Sequence, residues 1–216
     1  MPPFNPAHAL TYPALIGTDE AGRGAICGPV VVAAVWFDPC TIPAELLAQL
    51  DDSKKLKPVT RELLANMIRE HCSVAVAAGS AAAIDRRGIL VMTLDAMRRA
   101  VVRLAIDAPV RADGRQVPPG LSLPCEAVVR GDGSVPQIAA ASIIAKTTRD
   151  HLMRRLAGRY PAYQWHENKG YGTADHLAAL TTHGPTRHHR RSFAPVAGGC
   201  EPDPLHSVSS RQRPDH

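Results

Sequence analysis

Leu15-Ile16-Gly17-Thr18-Asp19-Glu20-Ala21-Gly22-Arg23-Gly24, followed closely by Gly28-Pro29-Val30-Val31-Val32-Ala33-Ala34-Val35-Trp36-Phe37, decides how the chain reads. Leu15 to Thr18 is a short β-type run ending at two adjacent carboxylates. The run from Gly28 to Phe37 is almost unbroken apolar and β-branched, the pattern of a strand buried on both faces, because a strand with one wet face alternates. Between them Gly22, Gly24 and Gly28 permit tight backbone geometry. Acid, pliable backbone and the forked cation of Arg23 thus lie within a few residues of one another, a combination suited to metal-assisted chemistry on a phosphate backbone.

Outward from this stretch, Pro39 to Asp52 reads as a loop with a short helical turn. Pro58 opens a helix with Leu63, Leu64, Met67, Ile68 and His71 at helical spacing. Ser73 to Gly79 alternates as a third strand, and Ser80 to Asp85 is a helical turn broken at Gly88. From Ile89 to Ile106 the positions Leu90, Leu94, Met97, Val101 and Leu104 line one face of an amphipathic helix. Pro109 to Ala112 is a weak strand ending at Asp113-Gly114, and Cys125 to Arg130 is a stronger one ending at Gly131-Asp132-Gly133. Ser134 is placed to cap a long helix with Pro136 near its start. Its predicted buried side carries Ile138, Ala141, Ala145, Thr148, Leu152 and Leu156. An aromatic and basic loop from Tyr160 to Gly172 precedes a helix from Ala174 to His183, capped by Thr173 and closed by Gly184-Pro185.

At 216 residues and 23.1 kDa the chain suits one well-buried α/β domain. Hydrophobic residues at 45% and charged residues at 21% argue against wholesale disorder. The predicted division is a flexible stretch over 1–13, a domain over 14–196, and a disordered Gly-, Pro-, Ser- and charge-rich tail over 197–216. A net charge of +5 favours a polyanionic partner. The five cysteines, Cys27, Cys40, Cys72, Cys125 and Cys200, are widely spaced without a C-x-x-C pair, neither a disulfide framework nor a zinc pattern. No apolar run approaches the ~20 residues of a membrane helix, and the N-terminus has no secretory pattern, so the expected location is cytoplasmic.

The acids at strand ends carry the chemistry: Asp19 and Glu20 after the first strand, Asp113 after the weak one, Asp132 before the long helix. Carboxylates are natural ligands for Mg²⁺ or Mn²⁺, and several at one sheet edge repel each other unless a divalent cation neutralises them. Singly, each also fits a turn or a helix entry.

Taken in order, five motifs resemble the type 2 ribonucleases H, and among them bacterial ribonuclease HII. They are Asp19-Glu20-Ala21-Gly22-Arg23-Gly24 with Gly28-Pro29, and Asp52-Ser53-Lys54-Lys55-Leu56. Gly131-Asp132 follows, with Ile138-Ala139-Ala140-Ala141-Ser142-Ile143-Ile144-Ala145-Lys146. The last two are Lys169-Gly170-Tyr171-Gly172-Thr173 and His188-His189-Arg190-Arg191-Ser192-Phe193. The resemblance spans about Leu15 to Val196. It implies a ribonuclease H-like α/β fold, a mixed central sheet flanked by helices with a helical C-terminal portion.

The resemblance further implies that Asp19, Glu20, Asp113 and Asp132 hold two divalent ions, Mg²⁺ or Mn²⁺. Asp107 is a rival for the third position, although Asp113-Gly114 before a Pro-rich loop fits the family pattern better. Gly22-Arg23-Gly24 resembles a ribonucleotide-reading loop, whose glycines let backbone groups reach a 2′-hydroxyl while Arg23 grips a phosphate. Tyr171 resembles an aromatic that stacks on the next sugar, and Lys54, Lys55, Lys146 and Lys169 resemble phosphate contacts. His188 to Arg191 reads as a basic packing segment near Phe193, and Cys27 as a small core residue.

The expected activity is cleavage of the RNA strand of RNA–DNA hybrids and 5′ of ribonucleotides embedded in duplex DNA, by a monomer. Sliding-clamp docking finds no support in the tail, which has no paired aromatics. The alternatives are a type HIII nuclease, disfavoured by the lack of a long N-terminal extension, and a non-catalytic hybrid-binding module on the same fold.

Overall fold

The computed structural model describes residues 4–197. Its centre is a five-stranded sheet built from β1 (Leu15–Ala21), β2 (Val30–Phe37), β3 (Ser73–Gly79), β4 (Val110–Asp113) and β5 (Cys125–Val128), in the order β3-β2-β1-β4-β5. β1, β2 and β3 form an antiparallel meander, whereas β4 runs parallel to β1 and β5 parallel to β4. The helices are α1 (Ala44–Gln49), α2 (Pro58–His71), α3 (Ala81–Arg87), α4 (Ile89–Leu104), α5 (Pro136–Ala157), α6 (Trp165–Asn168) and α7 (Ala174–His183). This is the mixed sheet flanked by helices, with a helical C-terminal portion, that the sequence predicts.

The alternating sides of β2 explain why its sequence does not alternate. Ala33, Val35 and Phe37 pack with α1, α2 and α5 on one face, while Val32 and Ala34 pack with α4 on the other. Both faces are therefore dry. β1 continues past its predicted end at Thr18 to Ala21, because Asp19, Glu20 and Ala21 pair with Ala33, Val32 and Val31. The two acids sit inside the strand and hence on opposite faces of the sheet.

Helix α5 lies directly over β1. Gly17 is the contact point: a Cβ there would overlap the main chain of Gln137 and Ile138 in the first turn of α5. The first half of α5 is enclosed on all sides, not along one stripe, since it inserts between the sheet and α2. Ser134 does not cap it. Ser134 instead donates its N–H to Gly131 O at 3.0 Å to close the Gly131–Gly133 turn, and the N-cap is Val135.

Two further expectations shift. Helix α4 buries Met92, Thr93, Ala96, Met97, Ala100 and Val101 while Leu90 is exposed, because its alanines let it approach β2 closely. Within the predicted flexible stretch 1–13, Pro6–Thr11 forms a 3-10 helix and Phe4 is buried in the α1/α2/α5 core, edge-on to Tyr12. Burial of that one aromatic ring anchors the segment. The predicted tail lies outside the described residues except for Ala197. Cys27, Cys40, Cys72 and Cys125 are free thiols, Cys27 fully buried, and among the described residues no helix is long and apolar enough to cross a membrane.

The C-terminal portion is closed by a directional hydrogen-bond chain. Tyr171 O is 2.8 Å from His176 Nδ1, which must donate to it, so His176 Nε2 is an acceptor. That nitrogen receives Trp165 Nε1–H at 3.0 Å and His189 Nε2–H at 3.1 Å. His189 Nδ1 in turn accepts the Thr186 N–H at 2.9 Å. Every proton position is thereby assigned, and both rings are neutral. Burial, with the neighbouring positive potential of His176, His188 and Arg191, pulls His189 down to about 3; burial also lowers His176.

Because the folded His189 pKa lies below the unfolded value near 6.5, the unfolded chain takes up a proton that the folded one refuses as pH falls below 6.5. The stabilisation is complete above that pH and is lost progressively towards pH 3. Melting curves at pH 7 and 4.5 should show about 2–3 kcal/mol more loss for the unaltered protein than for His189→Asn. Equal loss in both would remove His189 as the cause.

Candidate active site

Strand register brings the predicted acids together. Thr18 of β1 stands opposite Ala112 of β4, so one step further along these parallel strands Asp19 meets Asp113. Asp113 in turn stands opposite Val128 of β5, and its Oδ1 accepts the Gly131 N–H at 2.7 Å, which draws the turn bearing Asp132 against β4. Asp107 precedes β4 at the other end of the strand, on the side where Val110 meets Ile16. Asp113, not Asp107, joins Asp19 and Asp132.

Asp19, Glu20 and Asp132 are each harder to ionise than a free carboxyl, through burial first and neighbouring charge second. Asp19 is held well above the usual carboxylate range by burial first, then by Glu20 and Asp113; the Glu20 N–H, 2.7 Å from its Oδ1, and the Ser142 hydroxyl act the other way. Glu20 is raised by burial and by Asp113, offset by Arg23 at 3.3 Å. Asp132 is raised by burial, then by Asp52 and Asp113, with Lys54 opposing. Lys54 loses some solvation, but the field of Asp52, Asp19, Asp132 and Asp113 raises its pKa. Lys54 is a counter-charge to the cluster, 80% exposed along its side chain.

Among the described residues no three His, Cys, Asp or Glu side chains are already grouped tightly enough to enclose a metal ion. What fits is the chemistry of the donors. They are all carboxylate oxygens, and the charge repulsion that raises Asp19 and Asp132 is the kind a hard divalent cation relieves.

Beside the acids is a cleft of about 490 Å³ lined by Glu20, Gly22, Arg23, Gly24, Ser53, Lys54, Ser142, Lys146 and Tyr171. Tyr171 is 38% exposed, with the Arg149 guanidinium 5.4 Å from its ring centre. Glu20 and Arg23 also border a second depression with Asp113, Arg115 and Arg130. Two of the predicted lysines are elsewhere. Lys55 is ion-paired to Asp51 at 2.9 Å, and Lys169 donates to His166 O and lines a separate depression with Arg61, Asp150 and Arg154. Lys146 lies between, in the cleft wall and 2.8 Å from Asp150.

The glycine loop is held from below. Gly22 has φ +90°, and a Cβ on it would overlap the Arg149 side chain, so both conformation and space require glycine there. Arg149 donates to the carbonyls of Cys27, Pro29 and Lys169 at 2.8–3.0 Å, joining the loop to the segment before Tyr171. Arg190 donates to the carbonyls of Gly22, Arg23 and Gly28 at 2.7–3.0 Å. Sequence reasoning assigned no individual role to Arg149, Asp52 or Ser142, whereas Arg190 belongs to the segment read as packing near Phe193, where it is found. Arg149 stands among Lys146, Thr148, Asp150 and His151 in the sequence, so no local signal marks it as a buried guanidinium.

This arrangement has known counterparts. The Ribonuclease HII family model matches residues 16–196. A ribonuclease HII of Paramagnetospirillum magneticum is 50% identical over 182 residues, covering 84% of this chain and 90% of that protein. Among solved structures, the complex of PCNA with RNase HII from Archaeoglobus fulgidus matches with a TM-score of 0.71 at 28% identity, over 84% of this chain and 95% of that one. Bst-RNase HIII in complex with Mn²⁺ shares the fold with a TM-score of 0.69 at 22% identity, over 88% of this chain and 70% of that one. Matched along nearly all of its folded part, the chain belongs to the ribonuclease HII family and is a nuclease of the ribonuclease H type.

Proposed function

We propose that this nuclease hydrolyses the RNA strand of RNA–DNA hybrids and nicks duplex DNA 5′ of an embedded ribonucleotide, leaving 3′-hydroxyl and 5′-phosphate ends. The observation that carries this reading is the β1–β4 register, which sets Asp19 beside Asp113 with the glycine loop directly after the same strand. Acid cluster and ribose-facing backbone are thus covalently adjacent, and the cut falls at a fixed distance from the sugar being read.

Asp19, Glu20, Asp113 and Asp132 would hold two divalent ions, Mg²⁺ or Mn²⁺, which when bound supply Lewis acidity and charge neutralisation for an in-line phosphodiester displacement. The chain's own groups do the rest. Gly22, Arg23 and Gly24 bring backbone within hydrogen-bonding reach of a 2′-hydroxyl, the group that separates RNA from DNA. The exposed Arg23 can leave Glu20 for a phosphate, and Lys54 and Lys146 flank the same cleft. The Tyr171 ring forms a wall of the cleft on which a sugar can stack. Lys55 and Lys169 contribute to the outer positive field that steers a polyanion. We take the enzyme to act as a cytoplasmic monomer, and sliding-clamp docking is not part of the proposal.

A duplex with one ribonucleotide should be nicked on its 5′ side when Mg²⁺ or Mn²⁺ is added and left intact in EDTA; no metal-dependent nick sinks the proposal. Asp113→Asn should lower that activity by at least about 10³-fold, as when a charge at the reacting centre is removed, while Asp107→Asn stays within about twofold. The opposite pattern would move the third acid to Asp107. Lys54→Ala should weaken duplex binding and reduce the salt slope by about one unit, whereas Lys55→Ala, paired with Asp51, should change it little.

A further inference from the structure

Arg190 is fully buried, yet its position is near the surface loop that the proposed function assigns to ribose recognition. The segment carrying it is fastened to that loop at main-chain level. Arg190 N–H donates to Ile26 O and Gly28 N–H to His188 O, both at 2.8 Å, and Cys27 bridges His189. From this fixed base the guanidinium fork spends its donors on Gly22 O at 2.7 Å, Arg23 O at 2.8 Å and Gly28 O at 3.0 Å. The Phe193 ring lies 5.1 Å from the guanidinium carbon, which limits how far the fork can tilt. Arg149 occupies the other side of the loop, and neither arginine forms an ion pair among the described residues.

The consequence concerns the polarity of the loop. A peptide unit offers one donor and one acceptor, and which of them faces a ligand decides what the loop can recognise. Here the carbonyls of Gly22 and Arg23 are turned inward onto Arg190. The N–H groups of Arg23 and Gly24, two exposed residues, donate to no acceptor among the described residues. The loop therefore has the Gly22 and Arg23 acceptors engaged from within and the Arg23 and Gly24 donors unengaged.

We propose that Arg190 is a positioning residue for ribonucleotide selection, holding the Gly22 and Arg23 carbonyls inward so that the loop meets a 2′-oxygen with free N–H donors. This rests on the reading of residues 22–24 as the ribose-facing loop. Lysine at 190 would keep a positive charge but lose the planar fork that engages three carbonyls at once. Freed of that hold, the peptide units would turn and draw their N–H groups off the 2′-oxygen, weakening the distinction between a 2′-hydroxyl and a 2′-hydrogen, because a site that hydrogen-bonds a hydroxyl discriminates by leaving its donors unpaired when the hydroxyl is missing.

The experiment measures single-turnover nicking of a duplex with one ribonucleotide, and in parallel the affinity for that duplex and for its all-DNA counterpart without metal. For Arg190→Lys the preference for the ribonucleotide duplex over the all-DNA one should fall about tenfold, the upper worth of one neutral hydrogen bond, with all-DNA affinity within about twofold. A preference equal to that of the unaltered protein, or an equal fall in affinity for both duplexes, overturns the proposal. Should Arg190→Lys not fold, Phe193→Leu replaces it, removing only the ring that steadies the guanidinium; at least about a threefold fall in preference is expected, and an unchanged preference overturns it. Failure of the underlying functional reading shows separately, as an unaltered protein that neither nicks nor prefers the ribonucleotide duplex.

Discussion

The contact on which the molecule depends is the one between β1 and the first turn of α5, where Gly17 has no side chain and the helix backbone rests on the strand. That closeness places Ser142 of α5 beside Asp19 and seals the acid from bulk water on one side. It also fixes the depth at which α5 runs, so that Arg149, on the same helix, arrives beneath Gly22. Strand, acid and loop are therefore located by one helix. The site has little freedom to shift in parts.

Charge is distributed unusually around this contact. The acids sit on one stretch of sheet edge, where each raises the cost of ionising its neighbours. A short distance away, two buried guanidiniums are satisfied by peptide carbonyls alone. Burying a charge is tolerable only when its hydrogen bonds are met, and three carbonyls per arginine meet that condition. Burial and the nearby Arg149 lower Arg190 to about 10, which leaves it charged at neutral pH.

Much of this was legible beforehand, and the exceptions have physical reasons. β3 has the bounds its alternation predicts, Ser73 to Gly79, and Thr173 caps α7 through its side chain. Asp113 could be preferred over Asp107 from its turn context, yet only the parallel register sets it beside Asp19. β1 outlasts its apolar run because pairing with β2 overrides the local preference of acids and glycines for turns. The predicted face of α4 holds at Leu94, Met97, Val101 and Leu104 and fails at Leu90, while Ala96 and Ala100 join it by closeness, not bulk, and periodicity of large side chains does not register them. Lys55 and Lys169 show the limit for surface cations: spacing marks them as basic, but ion pairing and loop contacts decide where their charge points.

The long reach of Arg190 also bears on biosynthesis. Its bond to the Gly22 carbonyl joins residues 168 positions apart in the chain. A nascent chain can pair β1 with β2 as soon as both have left the ribosome, but the loop of residues 22–24 lacks its anchor until residue 190 emerges and docks. Fragments released early would carry Asp19 and Glu20 without an ordered loop beside them. The geometry of residues 22–24 is thereby tied to the last part of the domain to be made.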